Sequence, residues 1–201
     1  HGVAIAARVP LEELPVPDFC RHGEARAAAA RIGGEGGITI HNLYVPAGGD
    51  EPDATLNEKF AHKLQFLDEM AAWIGTAPAG RASIVVGDLN IAPLEHDVWS
   101  HKQLLDVVSH TPVETEALTA MMRAGQWHDA LRHFVPEDQK LYTWWSYRAS
   151  DWRASDRGRR LDHVWVSPDL AGGLTRHHVL KDARGWEKAS DHVPVLIEVA
   201  T

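Results

Sequence analysis

Four short clusters of polar side chains stand where apolar runs end: Asn42 and Tyr44 ahead of Pro46, Asp88 with Asn90, Asp162 with His163, and Ser190, Asp191 and His192. The most informative lies in SIVVGDLNIAP, residues 83–93, where Ile84, Val85 and Val86 form a β-branched run ended by Gly87. Such a run marks a strand buried on both faces. Asp88 and Asn90, two residues apart, leave that strand on the same side, toward the rim where open α/β sheets keep their sites. A carboxylate beside a carboxamide can hold a metal, orient a water or contact a phosphate oxygen. Gly, Asp, Asn and Pro are also the commonest turn residues, and Tyr44 or His192 taken singly reads as an ordinary strand tyrosine or surface histidine. Recurrence of such groups at several strand ends is what points to a site. His192 beside Asp191 sets an imidazole next to a carboxylate of metal-ligand type, and Asp162 can hold the other imidazole nitrogen. With Asp88 and Asn90 positioning a water, the set suits metal-assisted phosphodiester hydrolysis.

The elements that must position these groups follow from periodicity. Residues 3–9 read as a strand ending at Pro10, residues 10–24 as a polar loop, and residues 26–32 as a strand despite their alanines. Gly33, Gly34, Gly36 and Gly37 form a hairpin-like joint into Ile38, Ile40 and Leu43. After a Gly/Asp/Pro loop, Asn57 caps a helix whose Phe60, Leu64, Leu67, Ala71 and Ile74 form one apolar stripe, stopped by Gly75. Thr111, Pro112 and Glu114 spell an N-cap, first-turn proline and capping box, with Gly125 closing that helix. A short helix is expected over residues 127–134, an irregular stretch over 136–158, and strands over 161–167 and 193–199 with a loop between them. Strands that alternate with helices but also meet in hairpins imply mixed sheets with helices outside, in one domain spanning residues 1–201.

Composition narrows the class. The 201 residues are 44% hydrophobic and 24% charged, with no apolar run of membrane-spanning length. Cys20, the single cysteine, excludes an internal disulfide and fits a reducing compartment. A net charge of −8 argues against binding nucleic acid through global charge, though a local basic field remains compatible with it. The chain opens at His1 rather than Met, in what reads as the entry to a strand, which suggests a fragment.

VVGDLNIAP, GRRLDHVWVS, ASDHVPV and NLYVPAG together resemble the exodeoxyribonuclease III and AP-endonuclease branch of the endonuclease/exonuclease/phosphatase superfamily, in order from residue 2 to residue 199. YTWWSYR followed by RGRRLDH is what resembles that branch rather than the inositol-phosphatase, sphingomyelinase or DNase I branches. The resemblance implies a four-layer α/β sandwich of two packed mixed sheets flanked by helices, and it implies a cytoplasmic, monomeric enzyme associated with the nucleoid. It implies Mg2+, or Mn2+ in its place, and duplex DNA with abasic sites or 3′ ends as partner. Carried over residue by residue, Asp88 activates or orients the attacking water, and Asn90 binds that water or the phosphate. His192 contacts the scissile phosphate with Asp162 behind it, Tyr44 contacts the phosphate or leaving oxygen, and Asp191, with Asp88 and Asn90, lies at the metal. Arg26 matches an arginine that touches the DNA backbone. Two departures bear on activity. The family's first strands, which supply an asparagine and a metal-binding glutamate, precede the position where residue 2 aligns. Weak metal binding, negligible nuclease activity of these 201 residues alone, and an exposed sheet edge are the expectations. Ala47 also stands where an amide side chain is common.

DNA contacts are expected ahead of Asp162. Trp144, Trp145 and Trp152 are interleaved with Arg148, Arg153, Arg157, Arg159 and Arg160, leading to Leu161. Against Asp151 and Asp156, the five arginines leave residues 148–160 at +3. Aromatic faces can line a pocket for a flipped-out abasic sugar and arginines can meet phosphates. Because adjacent residues of an extended chain face opposite ways, one of Trp144 and Trp145 is expected to pack inward. The sequence leaves two other functions open: a superfamily phosphodiesterase or phosphatase acting on a non-DNA substrate, and a non-catalytic DNA-binding remnant.

Overall fold

The computed structural model describes residues 2–74, 82–149 and 151–200. Its strands and helices run in the order β1 (Leu11–Leu14), β2 (Ala27–Ile32), β3 (Ile38–Tyr44), α1 (Glu58–Ile74), β4 (Ser83–Asp88), α2 (His101–Leu104), α3 (Pro112–Ala124), β5 (His128–Asp129), β6 (Trp144–Trp145), α4 (Trp152–Ser155), β7 (Gly158–Arg159), β8 (Asp162–Val166), α5 (Pro168–Ala171), β9 (Leu174–Val179) and β10 (Val195–Val199). The apolar run at Ile84–Val86 lies inside a six-stranded mixed sheet of order β1-β2-β3-β4-β8-β5. The β3/β4 pair is parallel, and the other pairs are antiparallel.

Helices α1 and α3 cover one face of this sheet. Phe66, Leu67, Met70, Ile74, Leu118 and Met121 pack there on Leu43, Val45, Val85, Leu89 and Ile91. Each such side chain withdrawn from water contributes roughly 1.5–3 kcal/mol, which outweighs the modest helix propensity of the segments. Asn57 begins α1 as expected, its Oδ1 accepting from the Lys59 amide at 3.0 Å. Thr111 and Glu114 form the capping box of α3. The expected stop of α1 at Gly75 lies outside the described residues. On the other face, Leu174, Ile197 and Val199 of the antiparallel β9–β10 pair meet Ile38, Ile84, Val164 and Val166. Sheet packed on sheet with helices outside is the mixed α/β sandwich the sequence implied. Among the described residues β10 pairs only with β9, so its other edge is open.

Several expectations fail, among them the irregular stretch over 136–158, which holds β6, α4 and β7. Residues 3–9 are not a strand: the Val3 amide donates to Ala25 O and the Asn42 side chain to Ala4 O. The edge beside β2 is taken instead by β1, inside the expected loop, with Glu12 held to Arg31 at 3.0 Å. Residues 127–134 are not a helix, because His128 and Asp129 pair with β8. The Asp129 carboxylate then accepts from the Leu131 and Arg132 amides and closes a turn. The supposed loop after β8 contains α5 and β9, whose exposed positions, such as Thr175, Arg176 and His178, gave it a loop-like polarity.

Candidate active site

Strand register builds the site. Tyr44 pairs with Asp88 in the β3/β4 ladder, and Asp88 with Asp162 in the β4/β8 ladder. The three side chains therefore stand in one row, on the face that carries Ile84 and Val164 but at its open end. Gly87 permits the close approach of β4 to β3: its φ is +137°, and a Cβ there would sit 1.9 Å from Leu43 O. His192 arrives from another direction. An isolated antiparallel bridge joins it to Trp144, flanked by bonds from Trp145 N to Asp191 O and from Val193 N to Thr143 O, each 2.9 Å.

His192 Nδ1 lies 2.9 Å from Asp162 Oδ2, and His192 Nε2 lies 3.8 Å from Asp88 Oδ2. Their ligand atoms, one from each residue, all fall within 4.8 Å of one another. Burial pushes the Asp88 carboxyl up to about 7, reinforced by the Asp162 charge and opposed by His192 and the Asn90 amide. For His192, burial works against the charge, but the Asp162 bond and the charges of Asp162, Asp88 and Asp191 prevail and raise it to about 9. At neutral pH the imidazole is therefore a cationic hydrogen-bond donor, while Asp88 is poised to exchange a proton. Divergent pKa values in adjacent groups are how a site separates acid from base.

Asn90 follows Asp88 in a left-handed conformation, φ 53°, which asparagine tolerates better than most residues. Its Nδ2 donates to Val45 O at 2.9 Å and to Asp88 Oδ2 at 3.0 Å. With both amide protons taken, Oδ1 is the atom left for a water or a cation. Asp191 accepts from the Trp144 indole at 2.9 Å through Oδ2, leaving Oδ1 for other partners. His163, adjacent to Asp162 in sequence, faces the helix side and bonds to Ile91 O at 2.7 Å. Asn42 shares the face of Tyr44, one pair further from the open end, and its Nδ2 is spent on Ala4 O at 2.9 Å.

Two residues that position the site were not singled out by the sequence. Thr143, fully buried, donates to Asp162 Oδ2 at 2.6 Å and accepts from the Leu161 and Asp162 amides at 3.1 Å each. It therefore fixes the carboxylate that holds His192, and its only sequence signal was a hydroxyl within an aromatic run. Lys63 is also fully buried, 2.5 Å from Glu114, and donates to Asn90 O at 2.8 Å. Its signal was a cation on the apolar stripe, three residues after Phe60 and four before Leu67.

Beside the rim lies a groove of about 560 Å³ lined by Trp99, Trp144, Arg148, Arg157, Arg159 and Val107 among others. The Arg157 guanidinium lies 4.6 Å from the Trp99 ring centre, and that of Arg159 5.5 Å from Trp144. Arg159 also donates to Val108 O and Ser109 Oγ. Trp99 was missed because it lies far in sequence from the arginines. Of the expected contacts, Trp145 is 2% exposed and Leu161 5%, so neither offers a side chain to a ligand. Trp145 is the inward member of its pair. Arg160 is buried as well, bonded to Asp97 through Nε and Nη2 and to Asp129 through Nη1, and so does not add to a surface field. Arg153 is paired with Asp182 at the surface. Arg26 pairs with Glu24 and lies 4.9 Å from the Tyr44 ring centre.

The sequence model of the endonuclease/exonuclease/phosphatase family matches residues 1–192. The chain belongs to this family. It is 32% identical over 140 residues, 69% of its length, to an exodeoxyribonuclease of Bacillus subtilis, and spans 52% of that relative. About half the length of the curated relatives is thus represented. Among solved structures, an AP endonuclease from Archaeoglobus fulgidus superposes with a TM-score of 0.84 at 27% identity, over 94% of this chain and 71% of that one. A 3′ phosphatase from Neisseria bound to product DNA hairpin superposes with a TM-score of 0.83 at 26% identity, over 95% and 70%. No helix among the described residues is long and apolar enough to cross a membrane.

Proposed function

We propose that these residues form the catalytic rim of a DNA repair nuclease that hydrolyses phosphodiesters at abasic sites and 3′ ends. The observation that carries this reading is the row Tyr44–Asp88–Asp162 closed by His192, beside a groove lined by tryptophan and arginine. Asp88 accepts a proton from the attacking water while Asn90 Oδ1 orients it. The water oxygen bonds to phosphorus as the bond to the leaving oxygen breaks, and His192 donates a hydrogen bond to a non-bridging oxygen. Tyr44 serves the phosphate or the leaving oxygen. Thr143 and Asp162 hold the imidazole in place throughout.

The oxygen-rich donor set fits a hard divalent cation such as Mg2+, or Mn2+, which prefers carboxylate and carbonyl oxygens and keeps several waters. Asp191, Asn90 and Asp88 would hold it, and it would neutralise charge on the phosphate. In the groove, Trp144 and Trp99 offer faces to an extruded sugar, and Arg148, Arg157 and Arg159 offer charge to the backbone. By this reading the protein is one domain that works as a cytoplasmic monomer on duplex DNA.

The test compares two substrates for the natural full-length chain carrying these residues. A duplex with one abasic site should be nicked in Mg2+, and a soluble aryl phosphodiester should be turned over far more slowly. Equal or better turnover of the soluble ester would favour a non-DNA phosphodiesterase. Tight DNA binding without cleavage would favour a binding module.

A further inference from the structure

A second group of metal-ligating side chains lies away from the catalytic rim. His22, Glu24 and His62 each bring one ligand atom to within 4.8 Å of the others. His62 Nε2 is 3.9 Å from Glu24 Oε2, and the two imidazole rings are tilted with centres 4.5 Å apart. His62 Nε2 is buried and has no hydrogen-bond partner, a costly state for an imidazole nitrogen that an ion would relieve.

The scaffold under these three groups is fixed by bonds that do not involve them. The Gly23 amide, between His22 and Glu24, donates to the Asp18 carboxylate at 3.0 Å, and φ of +63° at Gly23 turns its neighbours toward α1. The Cys20 amide donates to Glu69 Oε2 of α1 at 2.7 Å. Phe19 packs on Phe66 and Trp73, with ring centres 4.6 and 5.6 Å away. The loop is thus clamped against the helix that carries His62.

We propose that His22, Glu24 and His62 bind a zinc-class transition-metal ion, with solvent as the remaining ligand. Two imidazoles and one carboxylate are a borderline donor set that favours Zn2+ over Mg2+. Zinc bonds of about 2.0–2.2 Å place tetrahedral ligand atoms roughly 3.4 Å apart. Closing the cluster therefore requires movements of about 1 Å, which the exposed His22 and Glu24 can make by side-chain rotation. Glu24 Oε2, the oxygen nearest His62 Nε2, also accepts from Arg26, which fixes the carboxylate beside the two imidazoles. Cys20 is not a ligand, since burial pushes its thiol up to about 11 and its Sγ faces His62 O at 3.9 Å. Because Arg26 covers Tyr44, an ion at Glu24 would stiffen one flank of the catalytic rim.

The test is titration of metal-stripped protein with Zn2+ by calorimetry, in millimolar Mg2+ so that the oxygen-rich rim is occupied, with thermal melting alongside. Wild type should bind one Zn2+ with a matching rise in Tm. His22→Gln, at an exposed position that leaves folding intact, should weaken binding at least about tenfold, as should His62→Gln. His192→Gln should bind as wild type does. Absence of binding in wild type, undiminished binding in His22→Gln, or loss of binding in His192→Gln would each overturn the proposal.

Discussion

Replacing Thr143 by valine keeps the shape of the side chain and removes its hydroxyl. Three bonds disappear: one donated to Asp162 Oδ2 at 2.6 Å, and two accepted from the Leu161 and Asp162 amides. A bond to a charged group contributes about 1.5–3 kcal/mol, and amides stripped of an acceptor in a buried place add to the loss. Thr143→Val should therefore cost roughly 2–4 kcal/mol in urea unfolding. Asp162, no longer fixed from behind, should also hold His192 less well, lowering kcat by about ten- to a hundredfold. Thr143→Ser separates the causes, because it keeps the hydroxyl and loses one methyl, costing about 1 kcal/mol. Its kcat should approach that of wild type. If valine costs under about 0.5 kcal/mol and leaves kcat unchanged, Thr143 does not position the site, and a serine variant as poor as valine would attribute the loss to packing alone.

Removing one partner of the buried Lys63–Glu114 pair by Lys63→Met should cost about 3–5 kcal/mol in urea unfolding, and adding Glu114→Gln should recover part of it; no recovery would mean that loss of the Lys63 bond to Asn90 O dominates. Burial, helped by the Arg160 charge, holds His163 down to about 4 despite the bond from Nε2 to Ile91 O, and Nδ1 has no partner for a second proton. The unfolded chain takes up that proton near pH 6.5 and the folded chain does not, so stability present above pH 6.5 falls by about 3 kcal/mol as the pH drops toward 4. His163→Gln should flatten this limb of the pH–stability curve, and an unchanged limb would assign it to other groups. Arg148→Ala and Arg157→Ala, both at exposed positions of the groove, should each reduce the salt slope of DNA binding by about one with little change in Tm; a large drop in Tm with unchanged DNA affinity would make them structural.

Much of the site was legible because its parts sit at strand ends. The β-branched run before Asp88 announced a buried strand, and alternation put Asp88 and Asn90 on one side. What the sequence could not supply was register, which alone decides that Tyr44, Asp88 and Asp162 are neighbours. Charge was a poor guide for a similar reason. Arg157 and Arg160 look alike in the sequence, but Arg160 meets two aspartates distant along the chain and is buried, while Arg157 lies over Trp99. Parity correctly divided Trp144 from Trp145 without saying which faced inward. β9 was unreadable because its exposed positions are polar and its partner strand lies sixteen residues beyond its end. Thr143 and Lys63 escaped notice because burial turns an ordinary hydroxyl or amine into a positioning group, and burial is a property of the fold.

The central claim is that Asp162 and His192 act as a unit on a phosphate, at 2.9 Å from one another. It is tested most directly by Asp162→Asn in the natural full-length chain, with Mg2+-dependent nicking of an abasic duplex and DNA affinity measured in parallel. The amide removes the charge that holds and raises His192 while preserving shape. Cleavage should fall at least about a hundredfold, with the Kd for DNA within about threefold of wild type. Nicking close to the wild-type rate, or a loss of DNA affinity as large as the loss of cleavage, would contradict the account.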